Sequence, residues 1–353
     1  MVIKLQMNFY FKLFYIINQM FNSNKMFFLF TLFFSTFISI SSNSWFGCWI
    51  GLEINLLSFI PLICNNNNMI SSETTLNYFL TQSIASINFL FIIIFKLILL
   101  KNFSMNNFIS FMMNSSLLMK MGAAPFHFWF PLIVEGLTWF NLMILMTWQK
   151  ISPMILISYY FNKNLLIISM ILSVIIGAIG GFNQTSLRKL LAFSSINNLG
   201  WMLCSLMISE NLWLMYFLLY FFLTSSIILF FYLFNMYFIN QLFMVNINVL
   251  MKLILTINIL SLGGLPPFLG FFPKWSVINY MMINNLYMLT FIFIMMSLIT
   301  LFFYIRILFS SFMFNYIKLK WLKIFFKNKL MMINNFFCFL SISGMMLSTF
   351  FYF

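Results

Sequence analysis

The sequence predicts an all-α polytopic membrane protein of about eleven transmembrane helices, arranged as a transporter-like inverted repeat with two broken helices. Three observations predict it. Of 353 residues, 63% are hydrophobic and 6% charged, with a mean hydropathy of +1.02, more apolar surface than a soluble domain can hide. Apolar stretches of about 20 residues recur from end to end, each long enough to cross a hydrocarbon core of roughly 30 Å as a helix. Two stretches are interrupted by related strings, "GAAPFHFWFP" (122–131) and "GLPPFLGFFP" (264–273).

Polar punctuation sets the spans in order. The first (26–42) follows Lys25 and ends in serines, the second (45–65) runs from Trp45 into an asparagine tract, and the third (76–100) follows "SSETT" and ends at Lys101. The fourth (104–122) ends at Lys120 and Gly122, and a proline-interrupted segment follows. The fifth (142–161), sixth (164–182), seventh (187–208) and eighth (211–236) are separated by "FNKN", "FNQTS", "SEN" and "NMYFINQ". The ninth (249–283) is long and broken by "GGLPP", the tenth (286–310) follows a pair of asparagines, and the last covers 331–352. Short loops make consecutive helices antiparallel neighbours.

The formal charge is +14, from 18 Lys plus Arg against four glutamates, Glu53, Glu73, Glu135 and Glu210. The basic residues are spread singly between spans, and the dense run "KLKWLKIFFKNK" (318–329) adjoins an apolar segment, so the surplus reads as membrane orientation rather than nucleic-acid binding. An inner N-terminus puts Lys4, Lys12, Lys25, Arg188, Lys189, Lys252 and the 318–329 lysines on one face, leaving chiefly Lys101, Lys163 and Glu210 on the other. The positive-inside rule favours that orientation. Residues 1–25 form a separate, less hydrophobic segment without a small-residue cleavage site, expected to lie on the surface, ahead of a single transmembrane bundle over 26–353.

Cofactor chemistry finds few ligands. Cys48, Cys64, Cys204 and Cys338 form no C-x-x-C, His127 is the one histidine, and neither a G-x-G-x-x-G nor a P-loop occurs. No metal site is expected, and any redox chemistry belongs elsewhere.

The two interrupted strings align at Gly122 with Gly264, Pro125 with Pro267, Phe126 with Phe268, Phe130 with Phe272 and Pro131 with Pro273. Paired Gly/Pro breaks in two halves of a transporter mark its ion path, and broken backbone in a membrane has to face protein or water. Lysines flank both: Lys120 precedes Gly122, and Lys274 follows Pro273. Glu53 and Lys150 each lie ~12 Å along a helix from the start of their spans, near mid-membrane. There an ionised side chain costs about 2.5–3.5 kcal/mol, so it needs a reason to stay. A Glu–Lys pair followed by further buried lysines can work as a proton relay, since pairing one charge changes the proton affinity of the next. Structural readings stand beside this one. Lys274 could snorkel to an interface, Glu53 could hold an ion pair, and Lys150 is the hardest to excuse. His127 could extend the relay or bond a freed carbonyl. Glu73, before a helix, fits an N-terminal dipole partner, and Lys96 and Lys101 fit interfacial anchors.

The strings "SNSWFGCWIGLEINLLSFIPLI", "NYFLTQSIAS", "MKMGAAPFHFWFP", "TWQKISP", "GGFNQTSLRKLLAFSSINNLGWM" and "LSLGGLPPFLGFFPKW" together resemble the subunit 2 family of mitochondrial NADH:ubiquinone oxidoreductase, respiratory complex I, in insect-like form. The resemblance runs from about residue 20 to 310, beyond which hydropathy alone supports it. It implies an antiporter-like, proton-translocating subunit of the membrane arm. Glu53 and Lys120 take the place of the family's Glu–Lys pair, Lys150 that of its central relay lysine and Lys274 that of the lysine on the second broken helix. His127 falls in a matching string without a carried-over role. The resemblance also implies a mitochondrial inner-membrane, multi-pass protein with its positive face toward the matrix. Subunits 4 and 4L and the lateral helix of subunit 5 are the expected neighbours, with membrane lipid around them. NADH, FMN, iron–sulfur clusters and ubiquinone would sit on partner subunits. "MFNSNK" from Met20 looks like the usual start of insect members, so residues 1–19 are expected to be absent from the mature chain or peripheral. Two other classes of function fit the same residues: a structural scaffold subunit, or a free-standing cation/proton antiporter.

Overall fold

The computed structural model describes residues 23–64, 68–98, 106–244, 249–313 and 334–344. Segment 1–22, Lys101, the lysine run 318–329 and half of the last expected span lie outside the described residues. Within them the chain is helical, with a lone backbone bridge between Ser186 and Phe238. Its contacts divide it into two compact units, Met1–Ser116 and Leu117–Phe353.

The first unit holds α1 (Ser23–Ser41), α2 (Trp45–Ile63), α3 (Met69–Ile98) and the first part of α4 (Asn106–Met121). Ser44 caps α2 by accepting from the Gly47 N–H at 3.2 Å. Gly51 lets α1 and α2 close on each other, since a Cβ there would lie 2.6 Å from the Ser39 nitrogen. The Trp49 indole donates to the Ser86 carbonyl at 3.2 Å, and Phe59 meets Tyr78 edge-on, joining α2 to α3. α3 begins at Met69, seven residues before the expected span, so Glu73 lies on an exposed face inside the helix rather than ahead of it. Lys96, in the last turn of α3, stands 5.4 Å from the Trp45 ring centre, a cation–π contact suited to an interfacial anchor.

The second unit holds α5 (Trp129–Gly136), α6 (Trp139–Met146), α7 (Ile151–Tyr159), α8 (Lys163–Gly181), α9 (Leu187–Ile208), α10 (Glu210–Phe234), α11 (Ile239–Met244), α12 (Val249–Gly263), α13 (Phe271–Ile283), α14 (Tyr287–Met313) and a helical stretch, 334–344. α9 is its centre, buried on nearly all sides. Gly177 lets α8 approach α9 backbone to backbone, for a Cβ there would lie 2.5 Å from the Asn197 nitrogen. On one face, the N–H of Leu187 donates to Tyr237 at 2.9 Å and that of Ile239 to Thr185 at 3.1 Å, pinning the loop before α9 to the loop before α11. Arg188 adds a bond to the Leu137 carbonyl at 2.8 Å and a stack on Tyr237, while Lys189 pairs with Glu135 at 2.6 Å.

Eight helical stretches among the described residues, Trp139–Tyr159 taken as one across its tight turn, are long and apolar enough to cross a membrane. The other expected spans are short or interrupted: α4 has 16 residues, and the ninth span is two helices of 15 and 13 residues around residues 264–270. The expected fifth span also departs from a regular helix. Trp148–Lys150 form a 3-10 turn between α6 and α7. Pro153 has no N–H for the Gln149 carbonyl four residues back and crowds it, so the chain tightens just where Lys150 sits.

Candidate functional site

The two interrupted strings fold alike. α4 and α12 both end in a Schellman cap built on a left-handed glycine. Gly122 has φ +72° and Gly264 φ +81°. In the first, Gly122 N–H donates to Met119 and Ala123 N–H to Leu118, at 3.3 and 3.1 Å; in the second, Gly264 donates to Ser261 and Leu265 to Leu260, at 3.0 and 3.4 Å. Both chains then leave the helix for the same seven-residue offset and resume as α5 and α13. Their freed backbone is met by protein: the Trp129 indole donates to the Met119 carbonyl at 3.1 Å, and Leu269 N–H donates to Ser341 at 3.0 Å. The sequence echo is therefore an echo of backbone conformation.

Each break has a lysine at the carboxyl end of its upstream half-helix, where a cation meets the negative end of the dipole. Lys120 lies in the last turn of α4 and is 7% exposed. Lys274 reaches the equivalent place from the other side of the break: starting in the first turn of α13, its ammonium donates to the Gly263 carbonyl at 2.9 Å. Gly264 is needed twice over, for its φ and because a Cβ there would lie 2.9 Å from Lys274 Cδ. Buried at 8% exposure, Lys274 does not snorkel out of the second unit.

Lys150 is 1% exposed. Its ammonium donates to the Ser195 carbonyl and to the Tyr220 hydroxyl, both at 3.4 Å, and lies 5.1 Å from the Tyr220 ring centre and 5.7 Å from that of Phe130. Phe130 lies in the first turn of α5, just after the first break, so the start of that helix forms part of the wall around the amine. Tyr220 also lines a cavity of about 20 Å³ together with Asn198, Tyr216, Leu262, Gly270 and Lys274. That volume suffices for a water molecule, and the lining supplies the polar partners a water requires. The Tyr216 hydroxyl donates to Asn198 Oδ1 at 3.1 Å. Tyr220 is thus common to the surroundings of Lys150 and to the lining of the cavity that Lys274 borders. Asn258, one turn before the cavity-lining Leu262 on α12, is 1% exposed with both amide atoms unpartnered.

Glu53 is half-buried in the first unit, where its Oε1 accepts from the Ser86 hydroxyl at 2.8 Å. His127 Nδ1 lies 3.3 Å from the Pro125 carbonyl inside the first break, a contact that needs the Nδ1–H tautomer. This is the freed-carbonyl partnership that sequence reasoning offered as one of two options. Sequence reasoning missed Tyr220, Tyr216, Asn198 and Asn258. A signal was present: "SSINN" (194–198) is a polar run inside an apolar span, and Tyr216 and Tyr220 are one turn apart on α10. Among the described residues no group of three or more His, Cys, Asp or Glu could hold a metal.

The chain is similar to known proteins in sequence and in fold. The family profile described as "NADH:quinone oxidoreductase/Mrp antiporter, TM" matches residues 42–300. The chain is 54% identical over 331 residues to a protein of Anopheles gambiae named NADH-ubiquinone oxidoreductase chain 2, covering 92% of this chain and 97% of the relative. The protein of the same name from Aedes aegypti is 51% identical over 94% of this chain and 98% of its own length. Among solved structures, a chain of respiratory complex I from Thermus thermophilus with bound aureothin superposes with a TM-score of 0.78 at 18% identity, covering 91% of this chain and 78% of that one. At that identity the likeness is one of fold.

Proposed function

Because the chain belongs to the NADH-ubiquinone oxidoreductase chain 2 family, within the wider antiporter-like membrane family, we propose that it is a core membrane-arm subunit of NADH:ubiquinone oxidoreductase that translocates protons. Electron transfer from NADH to ubiquinone takes place on other subunits, which hold the FMN and iron–sulfur clusters. This chain is a multi-pass membrane protein of the mitochondrial inner membrane, with subunits 4 and 4L and the lateral helix of subunit 5 as its neighbours. Glu53, Lys120, Lys150 and Lys274 are the groups that take up and release the proton; His127 is held as a bystander of the first break.

One observation carries this reading: Lys150, fully buried, donates to the hydroxyl of Tyr220, a residue that lines the same water-sized cavity as Lys274. A buried amine whose contacts among the described residues are two long hydrogen bonds and two aromatic faces is poorly fixed in its charged form. It can therefore release its proton when a neighbouring charge changes. The water-sized space beside the second break lets that proton leave along polar groups instead of through hydrocarbon. The test is the number of protons pumped per NADH oxidised in tightly coupled vesicles of the intact complex. Lys150→Met is expected to lower it while Lys96→Met, at the anchor position, leaves it unchanged; equal ratios in the two variants would refute the relay.

A further inference from the structure

We propose that the Tyr220 hydroxyl is the group through which a proton passes between Lys150 and the cavity bordered by Lys274. The inference deepens the relay reading and rests on it.

The geometry singles out this phenol. Its oxygen accepts from Lys150 Nζ at 3.4 Å, and the same residue is one of those lining the cavity that Lys274 borders, so a single tyrosine is shared by the amine and the water-sized space. The Ser195 carbonyl on α9 accepts from the same Lys150 ammonium at 3.4 Å, so α9 and α10 meet at the amine. The ring itself is 4% exposed and stands 5.1 Å from the ammonium, so the phenol is held in place by its face as well as by its oxygen. Tyr216, one turn away on the same face of α10, has its hydroxyl committed to Asn198 Oδ1 at 3.1 Å and does not touch Lys150. The two tyrosines therefore divide the work, Tyr216 shaping the cavity and Tyr220 connecting it.

The transfer balances without any further reactant. The Lys150 ammonium breaks an N–H bond and that proton forms an O–H bond at the phenol oxygen. In the same event the phenol's own proton leaves for a water in the cavity, so the phenol is never left charged. Lys150 ends neutral, the water carries the proton to the Lys274 amine, and rotation of the new O–H about the C–O bond returns Tyr220 to its starting state. The reverse order runs the proton the other way. Without the hydroxyl, the Lys150 proton would face an aromatic ring on one side and a helix carbonyl on the other, neither of which can pass a proton on.

The test uses the intact complex in sealed vesicles. Tyr220→Phe keeps the ring, and with it the packing and the cation–π contact, and removes the hydroxyl alone. The proton-to-electron ratio is expected to fall as far as it does in Lys150→Met, with NADH oxidation in uncoupled vesicles retained. Tyr237→Phe, a ring stacked on Arg188 and Trp139 away from the relay, is expected to keep the parental ratio. Tyr220→His, which restores a group able to accept and donate a proton, is expected to recover part of the lost ratio and to give pumping a new dependence on pH, which a merely structural role would not produce. A parental ratio in Tyr220→Phe alongside a lowered one in Lys150→Met would overturn the role of Tyr220 and leave the relay standing. Parental ratios in both would overturn the relay itself. Should Tyr220→Phe fail to assemble, the His variant decides: a ratio as low as that of Lys150→Met, with no change in pH dependence, overturns the proposal.

Discussion

Replacing Lys150 with methionine separates a proton carrier from a structural charge by the size of its effect on stability. Holding the ammonium inside costs about 2.5–3.5 kcal/mol on the mildest scale. Against that stand two hydrogen bonds at 3.4 Å, well beyond the 2.9–3.0 Å mode and so worth about 1 kcal/mol or less each, and two ring contacts of about 0.5–1 kcal/mol each. The two sides nearly cancel. Methionine has a similar length and makes no demand for partners, so Lys150→Met is expected to change stability by no more than about 1 kcal/mol, with a shift in unfolding midpoint of about 2 °C or less. A lysine kept as one half of a structural charge pair behaves differently, because its loss strands a buried partner and costs about 3–5 kcal/mol. Thermal unfolding of the solubilised complex, read beside the proton-to-electron ratio, distinguishes the two. A midpoint lowered by many degrees with pumping per assembled complex intact would refute the relay and favour a scaffold.

Other consequences can be measured on the same preparation. Gly264→Ala forces a side chain into φ +81° and against Lys274, so it is expected to cost about 1–2 kcal/mol and to lower the proton-to-electron ratio; Gly263→Ala, whose nearest neighbour would be 3.4 Å away, is expected to do neither. Asn258→Leu would stabilise a dry site by about 1–3 kcal/mol through removal of unpaired amide atoms, whereas a hydrated site, which the relay requires, gives no stabilisation and slower pumping. Ser86→Ala removes the donor to Glu53 at 2.8 Å and is expected to slow pumping less than Glu53→Gln does, measured as initial pumping rates. Lys189 and Glu135 are 26% and 42% exposed, so a double-mutant cycle on them is expected to give about 0.2–1 kcal/mol of coupling and no change in pumping.

Hydropathy made the helices legible, because a membrane leaves the backbone few ways to satisfy itself. It also made both breaks legible, since Gly122 and Gly264 sit where a left-handed residue has to end a helix, and the prolines behind them keep it ended. The tight turn at Lys150 was concealed by the apolar residues around it, although Pro153 marked its position three residues on. The lysines stood out because charge is costly in hydrocarbon. Tyr220 and Asn198 did not, because a tyrosine or asparagine in an apolar helix is commonplace, and only the facing of α9 toward α10 brings the hydroxyls beside the amine. Lys274 shows the limit from the other side: adjacency to the break in sequence left snorkelling open, and the bond to the Gly263 carbonyl closed it.

The central claim is tested most directly by locating ordered water in a high-resolution structure of the intact complex. A hydrogen-bonded water in the 20 Å³ cavity, within reach of both the Tyr220 hydroxyl and the Lys274 ammonium, is the predicted result. A dry cavity with the two groups turned away from each other would contradict it.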